Sequence, residues 1–201
     1  MKTQSTNPPP ARIISTAASL LGAALLFAGC VVTAVYPYYT EKDLVFDPAL
    51  VGDWMDGGRT NASSEFIRIE RAGENSYWAT PLGLSETNRC ESHLFHLRQQ
   101  LFVDSCPTNR SLDFVPVHQV SKVVWRDSAL ATADLNYDWL AKLIEKNPKA
   151  IRHLILHENP EDLQSGRVVL TAETPELQRF ILKYANNTNA WNGATLWKRR
   201  N

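Results

Sequence analysis

Apolar and polar positions divide the chain into a long uncharged run near its start and a series of short alternating segments after it. Residues 65–70 alternate apolar and charged positions around Ile67 and Ile69, a period of two that predicts a strand with one buried face. Residues 76–80 predict a second strand, joined to the first through Gly73-Glu74-Asn75 as a hairpin turn. Further on, Leu94, Phe95 and Leu97 lie on one side of Arg98-Gln99-Gln100, and Leu101, Phe102 and Val103 on the other. That symmetry predicts a hairpin with a three-residue loop. Residues 113–125 read as a long extended run that Pro116 marks as an edge or a bulge. Residues 129–135 read as a weaker strand.

The period then changes. Trp139, Leu140, Leu143 and Ile144 share one helical face, and Asn147-Pro148 stops that helix. Asn147 can cap a second short helix running from Pro148 to His153. Residues 167–172 are β-rich, and Thr174-Pro175-Glu176 opens a helix whose inner face is Leu177, Phe180, Ile181 and Tyr184. Residues 194–198 return as a last strand. About eight strands, two or three helices, no βαβ alternation and no repeat predict a mainly β (β+α) fold. The sheet is antiparallel, curled or closed into a barrel, with the helices toward the C-terminus.

The N-terminal run changes the picture of location. Residues 1–12 are polar, carry Lys2 and Arg12 and contain three consecutive prolines; residues 13–27 are apolar and uncharged, and Ala28-Gly29 follow. This is the order of a secretory signal. Phe27-Ala28-Gly29-Cys30 resembles a bacterial lipobox, which implies cleavage before Cys30 and attachment of diacylglyceryl and N-acyl (palmitate-type) chains to its thiol. The expected organisation is a signal peptide over 1–29, a lipid-anchored tether over 30–47 and one β-rich domain over 48–201. The alternative is a single uncut membrane anchor over 13–35, uncharged throughout. Both put everything after Cys30 outside the cytoplasm, because the positive charges stay inside. Val31, rather than an aspartate, follows the cysteine; resemblance to the sorting pattern then implies the outer membrane of a Gram-negative cell.

From Cys30 onward there are 19 basic and 21 acidic residues, a net charge of −2, with no basic stripe, which argues against nucleic-acid binding. A three-residue hairpin loop pairs residues whose numbers sum to about 198, which would put Cys90 and Cys106 on one face. In an oxidising compartment a disulfide there is expected, contributing about 3 kcal/mol, with two free buried thiols as the alternative. His153 and His157 are four apart but lack a third ligand, so no metal site is expected. His93 and His96 face opposite ways on a strand. No G-x-S-x-G elbow or carboxylate pair is singled out, so neither a catalytic residue nor a cofactor is predicted. Tyr36-Pro37-Tyr38-Tyr39 suits either the membrane interface or the barrel wall, and the six tryptophans are expected in the core.

The segments LVGDW (50–54), HLFHLRQQLFVD (93–104), PVHQV (116–120), DWLAKLIEKNP (138–148) and VVLTAETPELQRFILKYA (168–185) are similar to those of uncharacterised bacterial lipoproteins. Gly52-x-Trp54 resembles the opening of a lipocalin-type barrel, in which the tryptophan plugs one end. The first resemblance implies a lipid-anchored, non-enzymatic binding or envelope-support module, held to the membrane by its lipid and serving an envelope partner. The second implies a carrier of an apolar small molecule. A filled interior favours the first; a cavity of about 300 Å3 or more near Trp54 favours the second.

Overall fold

A computed structural model describes residues 31–57, 66–81, 89–108, 116–126, 129–157 and 166–200. Residues 1–29, read as a signal peptide, and Cys30 lie outside the described residues. Seven strands follow one another as an antiparallel meander: β2 (Gly52–Asp56), β3 (Phe66–Arg71), β4 (Tyr77–Pro81), β5 (Cys90–Leu97), β6 (Gln100–Pro107), β7 (Gln119–Arg126) and β8 (Ala129–Asp134). The last strand, β11 (Thr195–Arg199), pairs with both β8 and β2 and closes an eight-stranded barrel. Closure leaves no edge strand in this sheet. The mainly β fold with C-terminal helices is therefore present, in its closed form.

Between β8 and β11 the chain leaves the barrel wall to form α1 (Tyr137–Lys146), β9 (His153–His157), β10 (Gly166–Leu170) and α2 (Thr174–Tyr184). Asn136 caps α1 by accepting the Trp139 N–H at 3.0 Å. The short helix expected from Pro148 to His153 does not form. Residues 148–150 are a turn, and Leu154-Ile155-Leu156 follow as strand.

Two apolar cores result. One lies inside the barrel around Trp54, Tyr77, Leu94 and Leu130. The other lies against the outer wall, where Phe95, Phe102 and Val120 meet Leu140, Ile144, Leu177 and Ile181 of the helices. The two faces of β5 and β6 thus serve different cores, which explains the near-continuous apolar runs around their hairpin.

Residues 31–47 are not a tether. Thr33 and Ala34 form β1, parallel to β10, and Val32, Thr33, Ala34 and Tyr38 are buried in the outer core. The folded domain therefore includes residues 31–47 instead of starting at residue 48. The same placement does not fit an uncut anchor over the whole of 13–35, because Thr33 and Ala34, paired into a sheet, cannot also belong to a membrane helix. Among the described residues no helix is long and apolar enough to cross a membrane.

The hairpin register also differs from expectation. Leu97 pairs with Gln100, leaving a two-residue turn, Arg98-Gln99, with Arg98 at φ 56°. Positive φ is what a tight hairpin turn demands, and a non-glycine residue supplies it here. Pairs therefore sum to 197: Cys90 lies opposite Pro107 and Cys106 opposite Glu91. One residue of shift sends the cysteines to opposite faces. The expected disulfide between Cys90 and Cys106 does not form.

Candidate functional site

One end of the barrel is closed by a plug built from three parts of the chain. Asp47 caps a short 3-10 turn, Pro48–Leu50, by accepting the Ala49 N–H at 2.8 Å. The turn carries Leu50 beneath Trp54, whose indole N–H donates to the Leu50 carbonyl at 2.8 Å. Arg199 of the closing strand lies over the Trp54 ring at 5.3 Å and donates to the Ala49 and Val51 carbonyls at 2.7 and 2.8 Å. Gly52 sits at φ 143°, a conformation side chains rarely adopt, and a Cβ there would meet the Arg199 guanidinium at 3.4 Å. Glycine two residues before the tryptophan is thus required by the backbone at this point. Tyr77 extends the plug: its hydroxyl accepts the Asp47 N–H at 2.7 Å, and its ring stacks on Phe46 at 4.9 Å.

Above the plug the barrel is hollow. A cavity of about 340 Å3 is lined by inward residues of all eight strands. Its lower wall is apolar, with Ile67, Ile69, Leu94, Val123 and Leu130 around Trp54. At the other end the lining becomes polar. Ser92 and Ser105 hydroxyls are 2.9 Å apart, Ser121 donates to Asp134 at 2.5 Å, and the Trp197 indole N–H donates to Thr132 at 2.8 Å. Asp134 is exposed, which makes this the solvent-facing end. Among the described lining residues there are two carboxylates, Asp56 and Asp134, and no lysine, arginine or histidine. Such a lining suits an apolar body with a neutral or cationic polar end, and it disfavours an anionic one. A second depression, about 690 Å3, lies on the outside between β7–β8 and the segment from Ala185 to Leu196; it mixes apolar residues with three asparagines and Lys122, and it is no enclosed site.

Sequence reasoning singled out Trp54 and put Ile67 and Ile69 on a buried strand face, but left the polar part of this lining unmarked. Serines and threonines spread over five strands are individually unremarkable, and only the register brings them to one face. The positions that were singled out lie elsewhere. Cys106 has the outward parity of Asp104, whereas Cys90 has the inward parity of Ser92. Burial, and secondarily the nearby Cys106, pushes the Cys90 thiol up to about 11. Native Cys90 is therefore expected to alkylate far more slowly at pH 8 than after unfolding. The mass of the unfolded, alkylated protein should not depend on prior reduction; a reduction-dependent mass would restore the disulfide.

His153 ends one side of β9 with Nδ1 2.9 Å from the Ile151 carbonyl. Among the described residues no three His, Cys, Asp or Glu side chains gather as a metal would require. Of the tyrosine cluster, Tyr38 is fully buried against the barrel wall, Tyr39 stacks on His93 at 4.5 Å, and Tyr36 is exposed. Trp54 and Trp191 are buried, and the other four tryptophans are half-buried.

A buried polar cluster on the outer wall was also missed. Asp104 is fully buried; one carboxyl oxygen accepts the Tyr38 N–H at 2.9 Å and the other is 2.8 Å from His118 Nδ1. His118 also exchanges two main-chain hydrogen bonds with Ala34, each 2.8 Å. Burial, reinforced by Asp104, raises the Tyr38 hydroxyl far above its usual value, and burial lowers His93. Both Asp104 oxygens are committed to holding residues 31–38 against β6 and β7, so the cluster reads as a fastening.

No family model, curated protein or solved structure matches this chain.

Proposed function

We propose that this chain is a lipid-anchored protein of the cell envelope whose barrel carries a small, mainly apolar molecule. The observation that supports the carrier reading is the cavity of about 340 Å3 above Trp54, within the size range of small-molecule sites. The plug formed by the 3-10 turn, Trp54 and Arg199 supports the lipocalin-like comparison made on Gly52-x-Trp54. The envelope location rests on the lipobox-like residues ending at Cys30, with the outer membrane as the destination in a Gram-negative cell. Apolar contact supplies affinity, and the serines, threonines and carboxylates near the solvent end orient the ligand's polar group.

Titration of the tryptophan emission with dodecanol, dodecylamine and laurate tests the carrier reading. Dodecanol and dodecylamine are expected to bind, and laurate at least about tenfold more weakly, because its carboxylate meets the exposed Asp134 carboxylate at the open end. Ala79→Phe, which fills the cavity from β4, should abolish the response while leaving the fold intact. Absence of binding by all three compounds would remove the carrier reading. Mass spectrometry of the protein from its native membrane tests the anchor separately: acyl mass on Cys30, lost in Cys30→Ala, is expected, and an intact Met1 would replace the lipid by an uncut anchor.

A further inference from the structure

β9 is the edge of a three-stranded sheet ordered β1-β10-β9, and Leu154, Ile155 and Leu156 on it are 55%, 47% and 49% exposed. Three successive apolar residues exposed on an edge strand are what folded proteins ordinarily avoid, since such an edge invites pairing and aggregation. Such an edge calls for a cover.

Its position says what. Thr33 of β1 pairs with Val169 of β10, and Val169 pairs with Leu154. Two strand spacings, about 10 Å, separate β1 from β9. Because β1 and β10 are parallel, the chain that precedes β1 approaches from the Gly166–Arg167 end of β10. Arg167 lies opposite Leu156, so the apolar edge extends toward that same end. Only Val31 and Val32 separate Cys30 from β1, and Val32 is buried. There is no slack between the anchor and the sheet. A group that holds Cys30 in a membrane brings this end of the sheet to the membrane surface.

We propose that Leu154, Ile155 and Leu156 form a second membrane contact, in which β9 rests its apolar side chains in the interfacial layer of the bilayer that holds Cys30. Arg167 is exposed beside Leu156 and sits at headgroup level, where anionic phospholipid attracts it. The contact fixes the barrel's orientation, as a single flexible anchor would not. The proposal rests on the membrane-anchor reading and would be lost with a chain free in solution.

The test uses the full mature protein reconstituted into phosphatidylethanolamine–phosphatidylglycerol vesicles, with and without phospholipids brominated near the headgroup. The emission added by Ile155→Trp over the wild-type protein is expected to be mostly quenched by the brominated lipid. Circular dichroism of this surface variant shows that its fold is unchanged. Unquenched added emission in protein that still floats with the vesicles would overturn the contact and leave the anchor standing. The acyl mass of the same sample reports on the anchor independently. Vesicle-bound protein that cross-links as a dimer through β9, with no quenching, would also overturn it, in favour of a second copy as the cover.

Discussion

Replacing Trp54 by alanine is expected to lower the unfolding free energy by about 4 kcal/mol, seen as a drop in the denaturant midpoint at unchanged slope. Trp54 is 1% exposed, and the truncation removes most of the floor of the interior core. Part of the cost is the volume itself, for which buried aromatic-to-alanine changes lose about 3–5 kcal/mol. The remainder is specific to this plug. The Leu50 carbonyl loses its indole donor, and Arg199 loses the ring beneath it while still bonded to Ala49 and Val51. Trp54→Phe keeps most of the volume and gives up the hydrogen bond, so it should cost about 1 kcal/mol. A loss below about 1 kcal/mol for Trp54→Ala would mean that the ring is no structural plug. Dodecanol binding should also weaken in Trp54→Ala, because the apolar floor opens.

The strands β3, β4 and β8, both helices and β11 were legible because each carries its own period. Ile67 and Ile69 alternate with charge, and Leu177, Phe180 and Ile181 repeat on a helical face. Closure was suggested without being dictated, since β11 meets β2 across most of the chain and no local signal marks that pairing. The hairpin register was misread by one residue because the turn holds Arg98 at positive φ without a glycine or asparagine to announce it. A single residue of register decides which face every side chain takes, and so it decided the fate of Cys90 and Cys106. Residues 31–35 were misread for a related reason. Directly after an apolar leader, Val31-Val32-Thr33-Ala34-Val35 looks like its continuation, and the strand that pairs with it, β10, lies more than a hundred residues away. The same distance hid the cavity's polar end. Ser92, Ser105, Ser121 and Thr132 become a site only when four strands are laid side by side.

Asp104→Ala is expected to be the other severe change, costing about 3–5 kcal/mol, the range found when one partner of a buried polar pair is removed. Asp104 sits in an alternating stretch of β6 where an acid would ordinarily face water. Its partners are His118, just before β7, and Tyr38, and neither is near it in sequence. Without the carboxyl, the Tyr38 N–H and His118 Nδ1 are left in a buried setting, which costs more than the bonds themselves contributed. The damage should concentrate on one segment. Hydrogen exchange at Tyr38 should rise in Asp104→Ala far more than in Trp54→Ala, whose effect is inside the barrel. His118→Ala should reproduce part of the loss, and the double variant should cost less than the sum, because the two side chains share one bond. A small loss with Tyr38 still protected would show that apolar packing of Val32, Ala34 and Tyr38 holds the segment alone. The distinction bears on function, since this segment joins Cys30 to the barrel. With Asp104 in place the barrel is fastened within a few residues of Cys30, the proposed anchor point; without it, several residues of slack separate the two, and the proposed seating of β9 on the membrane should weaken with the fastening.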